Sequence, residues 1–230
     1  MYHKLLNRFS FALLALAVTS IAAADVLVFG GTRGVGLETV RELRQRGEAV
    51  TVMVRETSDL TALNAIDGVS TTVGDALVME DVTAAFASGE FEAVVSTLGG
   101  TPESGIEVDS VGNIHAIDGA KGVGADRFIL ITSIGAGDSR AAAPSGMLRV
   151  LGPVLVEKEK AERHLIDSGL TWTIMRPGVL KDNPATGRGI LTQDTTALGM
   201  INRAELARVI VDAIGNEETF GRIYTAIEKR

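Results

Sequence analysis

The stretch Val28-Phe29-Gly30-Gly31-Thr32-Arg33-Gly34-Val35-Gly36 constrains the fold more than any other part of the chain. Residues 25–29, DVLVF, read as a short buried strand because the Val and Leu side chains are apolar and β-favouring, and the glycines that follow punctuate a turn. Residues 34–47 then change to helical spacing, with Leu37, Val40 and Leu43/Arg44 on one side and Glu38, Arg41, Glu42 and Gln45 on the other. Gly47 supplies the stop signal. Between strand and helix, Gly30, Gly34 and Gly36 form a GxxxGxG pattern. Glycine permits the tight backbone course and removes Cβ atoms where an anion approaches, and the helix start offers unpaired N–H donors. Strand, glycine turn and helix in this order predict a phosphate seat formed by Gly30, Thr32, Arg33, Gly34, Val35 and Gly36. The plainer reading is a turn that only packs a helix against a strand.

The alternation continues. Residues 49–54 read as a strand, 58–66 as a short helix, 69–73 as a strand, 82–87 as a helix and 93–98 as a strand. A helix over 110–120 precedes the strongly apolar strand 127–132. Residues 135–156 lose regularity among glycines, prolines and small residues, and 157–168 read as a charged amphipathic helix. A strand at 171–175, a variable loop at 177–196, a helix at 203–215 and a strand at 222–226 complete the pattern. Strands that are continuously apolar, rather than alternating, belong in a parallel sheet covered on both faces. The expected architecture is α/β, a doubly wound parallel sheet with helices on both faces.

Composition bounds the chemistry. The 230 residues suit one domain, here expected over residues 25–230, and the absence of cysteine excludes thiol catalysis and Cys-ligated metal. His3, His115 and His164 share no ligand spacing, so no metal site is expected. A net charge of -7 argues against nucleic acid as a partner, while leaving room for a local basic pocket. Residues 1–24 contain Lys4 and Arg8, no acid, an apolar run over 9–21 and the small residues Ala22-Ala23-Ala24. That pattern predicts a signal peptide cut before Asp25 and an exported or periplasmic product. The alternatives are an uncleaved membrane anchor, with membrane association through residues 1–24, or a misassigned start and a cytoplasmic protein.

The glycine turn resembles that of the short-chain dehydrogenase/reductase superfamily, and the resemblance reaches most of the chain after the leader. The glycine spacing is similar to the classical branch. Thr171-Trp172-Thr173-Ile174-Met175-Arg176-Pro177-Gly178 instead resembles the atypical NAD(P)H-binding branch, which includes flavin and biliverdin reductase-like proteins. The resemblance implies a Rossmann sheet binding NAD or NADP at the glycine turn. Arg33 and Arg55 favour NADP, because two arginines at the turn and beyond the second strand suit an extra ribose phosphate. No Asp or Glu precedes Arg55 at the end of that strand to accept from an unphosphorylated ribose, although Glu56 follows one residue later. The resemblance places Asp75 at the adenine, with capping of the following helix as its other reading, and Thr97, Leu98 and Gly99 along the dinucleotide. It sets Pro177 and Gly178 beside the nicotinamide.

The same resemblance implies a catalytic group of Ser133, Lys158 and Asn113, with Lys158 also holding the nicotinamide ribose. Classical members place a tyrosine four residues before that lysine, and Val154 stands there. Local readings compete: strand-end capping for Ser133, a solvated helix face for Lys158, a helix-start contact for Asn113, ionic support for Arg176 and core packing for Trp172. Residues 135–153 and 181–196 are substrate-side loops, with Arg140, Met147, Arg149, Asn183 and Arg188 as contacts. The expected activity is hydride transfer, NADP favoured, to or from a small organic substrate. A noncatalytic redox sensor and a nucleotide-sugar epimerase are the alternatives.

Overall fold

The computed structural model describes residues 25–100, 105–125 and 127–229. Its first strand shows how the sheet is built. In β1 (Asp25–Phe29), Val26 and Val28 enter one apolar layer while Leu27 and Phe29 enter the other, and all four are buried. Four consecutive buried apolar residues fit a sheet covered on both sides. Parallel neighbours follow: β2 (Ala49–Val54), β3 (Val69–Val73), β4 (Ala93–Ser96), β5 (Arg127–Ile131) and β6 (Thr171–Pro177). The eight-stranded order is β3-β2-β1-β4-β5-β6-β10-β8, where β10 is Arg222–Glu228 and β8 is Gly189–Thr192.

Helices cover both faces. On one, α1 (Gly34–Gln45) packs beside α6 (Arg203–Ile214), bringing Val35, Leu37, Val40, Leu43, Leu206 and Ile210 onto the valines of β1 and β2. On the other lie α3 (Met79–Phe86), α4 (Val111–Val123) and α5 (Ser145–Ile166), with Val82, Phe86, Ile117, Ala161 and Leu165 against Phe29, Phe128 and Leu130. The short α2 (Thr61–Asn64) adds Leu63 to the first layer. Arg127 at the start of β5 ties the sheet to α6 by donating to Ala213 O at 2.8 Å and Ile214 O at 3.0 Å. Burial pushes its pKa down to about 10.

Several expectations are corrected. The region 135–156 is not irregular throughout: a 3-10 turn at Gly137–Ala142 leads into α5, which starts at Ser145 and runs to Ile166. Pro153 deletes one intrahelical donor, yet the helix continues because Gly152, Leu155, Ala161 and Leu165 repeat along its buried side. The loop 177–196 contains β7 (Val179–Lys181) and β8, and β7 pairs with β9 (Met200–Asn202) in a separate two-stranded sheet. The sheet is not wholly parallel, since β8 runs antiparallel to β10 at the edge. Membrane association and the anchored placement are corrected as well: among the described residues, no helix is long and apolar enough to cross a membrane. Residues 1–24, on which that expectation rested, lie outside the described residues.

Strand order positions the site. The connections leaving β1 and β3 run to opposite sides of β1, so a crevice opens at the C-terminal ends of β1 and β4.

Candidate functional site

A cleft of about 690 Å³ occupies this crevice and is lined from the C-terminal ends of β1 to β6. Gly30 and Gly34 adopt left-handed φ values of 82° and 56°, which let the turn fold back under the start of α1. A Cβ on Gly36 would stand 2.2 Å from Gly30 O, so the backbone itself fills that space. Thr97 Oγ1, beyond β4, donates to Phe29 O and Gly30 O, both at 3.2 Å, and fixes the turn from the other side. Arg33 occupies the N-cap of α1 without any side-chain cap. The first intrahelical bond runs from Leu37 N to Arg33 O, and the earlier N–H groups face the cleft without helical acceptors.

Thr32, Arg33, Gly34, Val35 and Arg55 line the same end. Among the described residues the exposed Arg33 and Arg55 guanidinium groups form no ion pair or hydrogen bond. Ser58 Oγ accepts from Arg55 N at 3.2 Å and shapes the turn that carries the arginine. Asp75 also lines the cleft, with one carboxylate oxygen accepting from Leu77 N at 2.9 Å. Thr97, Leu98, Gly99 and Pro177 are in the wall, whereas Gly178 lies behind it. There Gly178 N donates to Ala226 O at 3.0 Å, and a Cβ would stand 2.3 Å from Gly199 O.

At the opposite end Ser133 and Lys158 both reach the cleft. Lys158 Nζ stands 2.6 Å from Oδ1 of Asp109, a fully buried carboxylate. The second Asp109 oxygen accepts from Gly100 N at 2.8 Å. Asn113 is outside the wall and acts one layer back. Its Nδ2 donates to Asp109 O at 3.0 Å, and its Oδ1 accepts from Ser96 Oγ at 2.6 Å. The chain Ser96, Asn113, Asp109, Lys158 thus joins the end of β4 to α4 and α5. Val154, one turn before Lys158, is in the wall where a phenol would have to stand.

Arg176 lies outside this cleft and holds the fold. It is buried, donates twice to Glu162 at 3.0 and 2.7 Å and also pairs with Asp138. Burial disfavours its charge, but the two carboxylates more than offset this and hold its pKa above the ordinary value. His115 and His164 contact Ala76 O and Asp118, and neither lines the cleft. Arg140, Met147, Arg149, Asn183 and Arg188 also lie outside the wall.

Among the charged wall residues, sequence reasoning did not single out Asp109, Asp182 and Arg203. Asp109 sits in a 3-10 turn, Glu107–Asp109, with no recognisable spacing to Lys158. Arg203 begins α6 and reaches Gly34 through the packing of α6 on α1, a contact no local pattern announces. Chemically, the cleft offers N–H donors and two unpaired cations to phosphates at one end. Its other end is largely apolar, with Ile131, Leu151, Val154, Leu155, Pro177 and Leu180 around Ser133 and Lys158. That donor set fits a dinucleotide.

Comparison with known proteins agrees with this geometry. A solved structure of ChuY, an anaerobillin reductase from Escherichia coli O157:H7, is 32% identical, with a TM-score of 0.79 over 89% of this chain and 97% of that one. An uncharacterised chloroplast protein of Arabidopsis thaliana is 29% identical over 223 residues, 93% of this chain and 80% of its own length. Sanguinarine reductase from Eschscholzia californica is 35% identical over 153 residues, 63% of this chain and 53% of its length. The sequence profile of the NAD(P)H-binding family matches residues 30–217, the span that builds the glycine turn, the cleft and α6, and the chain belongs to that family.

Proposed function

We propose that this chain is an NADPH-dependent reductase acting on a small, largely apolar and conjugated organic acceptor. The observation that carries the reading is the pair of unpartnered arginines, Arg33 and Arg55, beside the uncapped start of α1. Two free guanidinium groups suit a phosphate on the adenosine ribose in addition to the pyrophosphate. ChuY, alike over most of both chains, is described as a reductase, which supports the same class of reaction.

When bound, NADPH supplies the hydride. The chain's own residues bind and orient the nucleotide and the acceptor. The Thr97 to Gly99 segment and the glycine turn hold the dinucleotide. Lys158, fixed by Asp109, offers an ammonium to hydroxyl groups, and Ser133 offers its hydroxyl to orient a carbonyl or amide. Leu151, Val154, Leu155 and Leu180 present an apolar face to the acceptor. Val154 cannot donate a proton, so the acceptor takes its proton from solvent. That requirement favours a conjugated system, in which charge is delocalised after hydride addition, over a simple ketone.

The test is a titration of purified protein with NADPH and NADH. It is followed by loss of NADPH absorbance in the presence of flavins, quinones, conjugated tetrapyrroles and carbonyl compounds. Preferential NADPH binding with turnover of a conjugated acceptor supports the reading. Tight binding without turnover favours a redox sensor, the reading to which Val154 points. No binding of either nucleotide rejects both.

A further inference from the structure

Above the glycine turn lies a cation that the cofactor reading does not yet use. Arg203 opens α6 and lines the cleft, and a Cβ on Gly34 would stand 3.7 Å from its Nε. Its side chain therefore lies over the part of the turn that faces the N–H donors of α1. Arg203 Nη1 meets Asp182 Oδ1 at 2.5 Å, but the two partners are placed unequally: the Arg203 side chain is 27% exposed and that of Asp182 83%. The carboxylate is a screened, solvent-side partner, whereas the arginine side chain is partly buried and lines the cleft.

The backbone beneath the arginine is held firmly. Asn202 donates to Glu228 Oε1 through N at 3.0 Å and Nδ2 at 2.8 Å, and accepts from Asn183 Nδ2 at 3.0 Å. These bonds keep the start of α6 fixed while the long arginine side chain can change partner. An exposed ion pair contributes little and is weakened by salt. A pyrophosphate beside an uncapped helix start offers two negative charges in a less solvated setting, so exchange of Asp182 for phosphate is favourable.

We propose that Arg203 binds the cofactor's pyrophosphate, and that Asp182 is its resting partner, a built-in competitor displaced when the dinucleotide enters. The inference rests on the cofactor reading above and assigns to Arg203 a role distinct from that of Arg33 and Arg55. Pyrophosphate is common to NADH and NADPH, so Arg203 sets affinity for both without choosing between them. Because Asp182 follows β7, which carries Leu180 into the apolar end, the exchange also links phosphate occupancy to the lip of the acceptor site.

The two partners give effects of opposite sign, which a structural strut would not. Arg203→Met should weaken NADPH, NADH and ADP-ribose alike, each by about tenfold, and leave adenosine 2′-phosphate unaffected. Asp182→Asn should tighten all three pyrophosphate ligands by roughly two- to fivefold, with the gain shrinking as salt is raised. Isothermal titration measures both, and a thermal melt of each variant confirms folding. If both substitutions weaken binding, or if Arg203→Met binds as the wild type does, the inference is overturned while the cofactor reading stands. A wild-type protein that binds none of the three overturns both.

Discussion

Lys158 Nζ and Asp109 Oδ1 stand 2.6 Å apart, with the aspartate fully buried and the lysine open to the cleft on one side. The asymmetry decides what each substitution costs. Lys158→Met strands a buried carboxylate and should destabilise by about 3 kcal/mol. Asp109→Asn leaves an ammonium that still meets the cleft and an amide oxygen for Gly100 N, so its cost should be about 1 kcal/mol. The double variant contains no stranded charge and should recover most of the loss. Urea unfolding of the four proteins checks this order, and equal losses in the two single variants would contradict it.

Arg33 and Arg55 differ from Lys158 in having no partner among the described residues. Replacing either with Gln breaks no protein contact, so stability should be unchanged. NADPH affinity should fall by about five- to tenfold per site, equivalent to roughly 1 kcal/mol, while NADH affinity stays within about twofold. Titration of both nucleotides against each variant measures the difference. Equal losses for the two would remove the ribose-phosphate assignment.

The glycines of the turn separate into two kinds. Gly36 has no room for a Cβ, which would lie 2.2 Å from Gly30 O and 2.5 Å from Thr97 Oγ1. Gly36→Ala should therefore lower stability by about 1–3 kcal/mol as it disrupts binding, and is no clean probe of phosphate contact. Gly34 has open space, with no heavy atom nearer than 3.7 Å, but its φ of 56° makes Ala cost about 1 kcal/mol. Thermal melts paired with NADPH titration should show Gly36→Ala losing more stability than Gly34→Ala.

What was legible follows the range of the interaction. The strands 49–54 and 69–73 and the start of α1 were readable to the residue, because β-branched runs and glycine stops are local signals. The start of α5 was not, since Gly152 and Pro153 look like breakers until Leu155 and Leu165 are seen buried along the same helix. The glycine-turn residues that line the cleft emerged from the strand-turn-helix order, because that order fixes which backbone points at the crevice. Asp109, Asp182 and Arg203 did not, since each acquires its place through a partner far away in sequence. Asn113 shows the intermediate case: the family resemblance singled it out, but only the contacts to Ser96 and Asp109 show that it works behind the wall.

Glu205 provides a test of the C-terminal half by pH. Its buried carboxylate on α6 accepts from Thr186 N and Gly187 N at 2.7 Å and from Gly189 N at 2.8 Å, closing the loop before β8. Burial pushes its pKa up, but the three backbone donors, helped by Arg208, outweigh this and hold it below the ordinary 4.5. A depressed folded pKa means that protonation favours the unfolded chain. The stabilisation is therefore complete above pH 4.5 and is lost as pH falls through the lower folded value. Glu205→Gln turns an amide NH2 toward backbone donors and should destabilise by roughly 2 kcal/mol near neutral pH. That gap should narrow below pH 4.5, as the wild type itself protonates. Chemical unfolding of both proteins across this range measures the gap, and hydrogen exchange at Gly187 and Gly189 should accelerate in the variant. A gap that stays constant to strongly acid pH would show that the carboxylate charge is not what holds the loop.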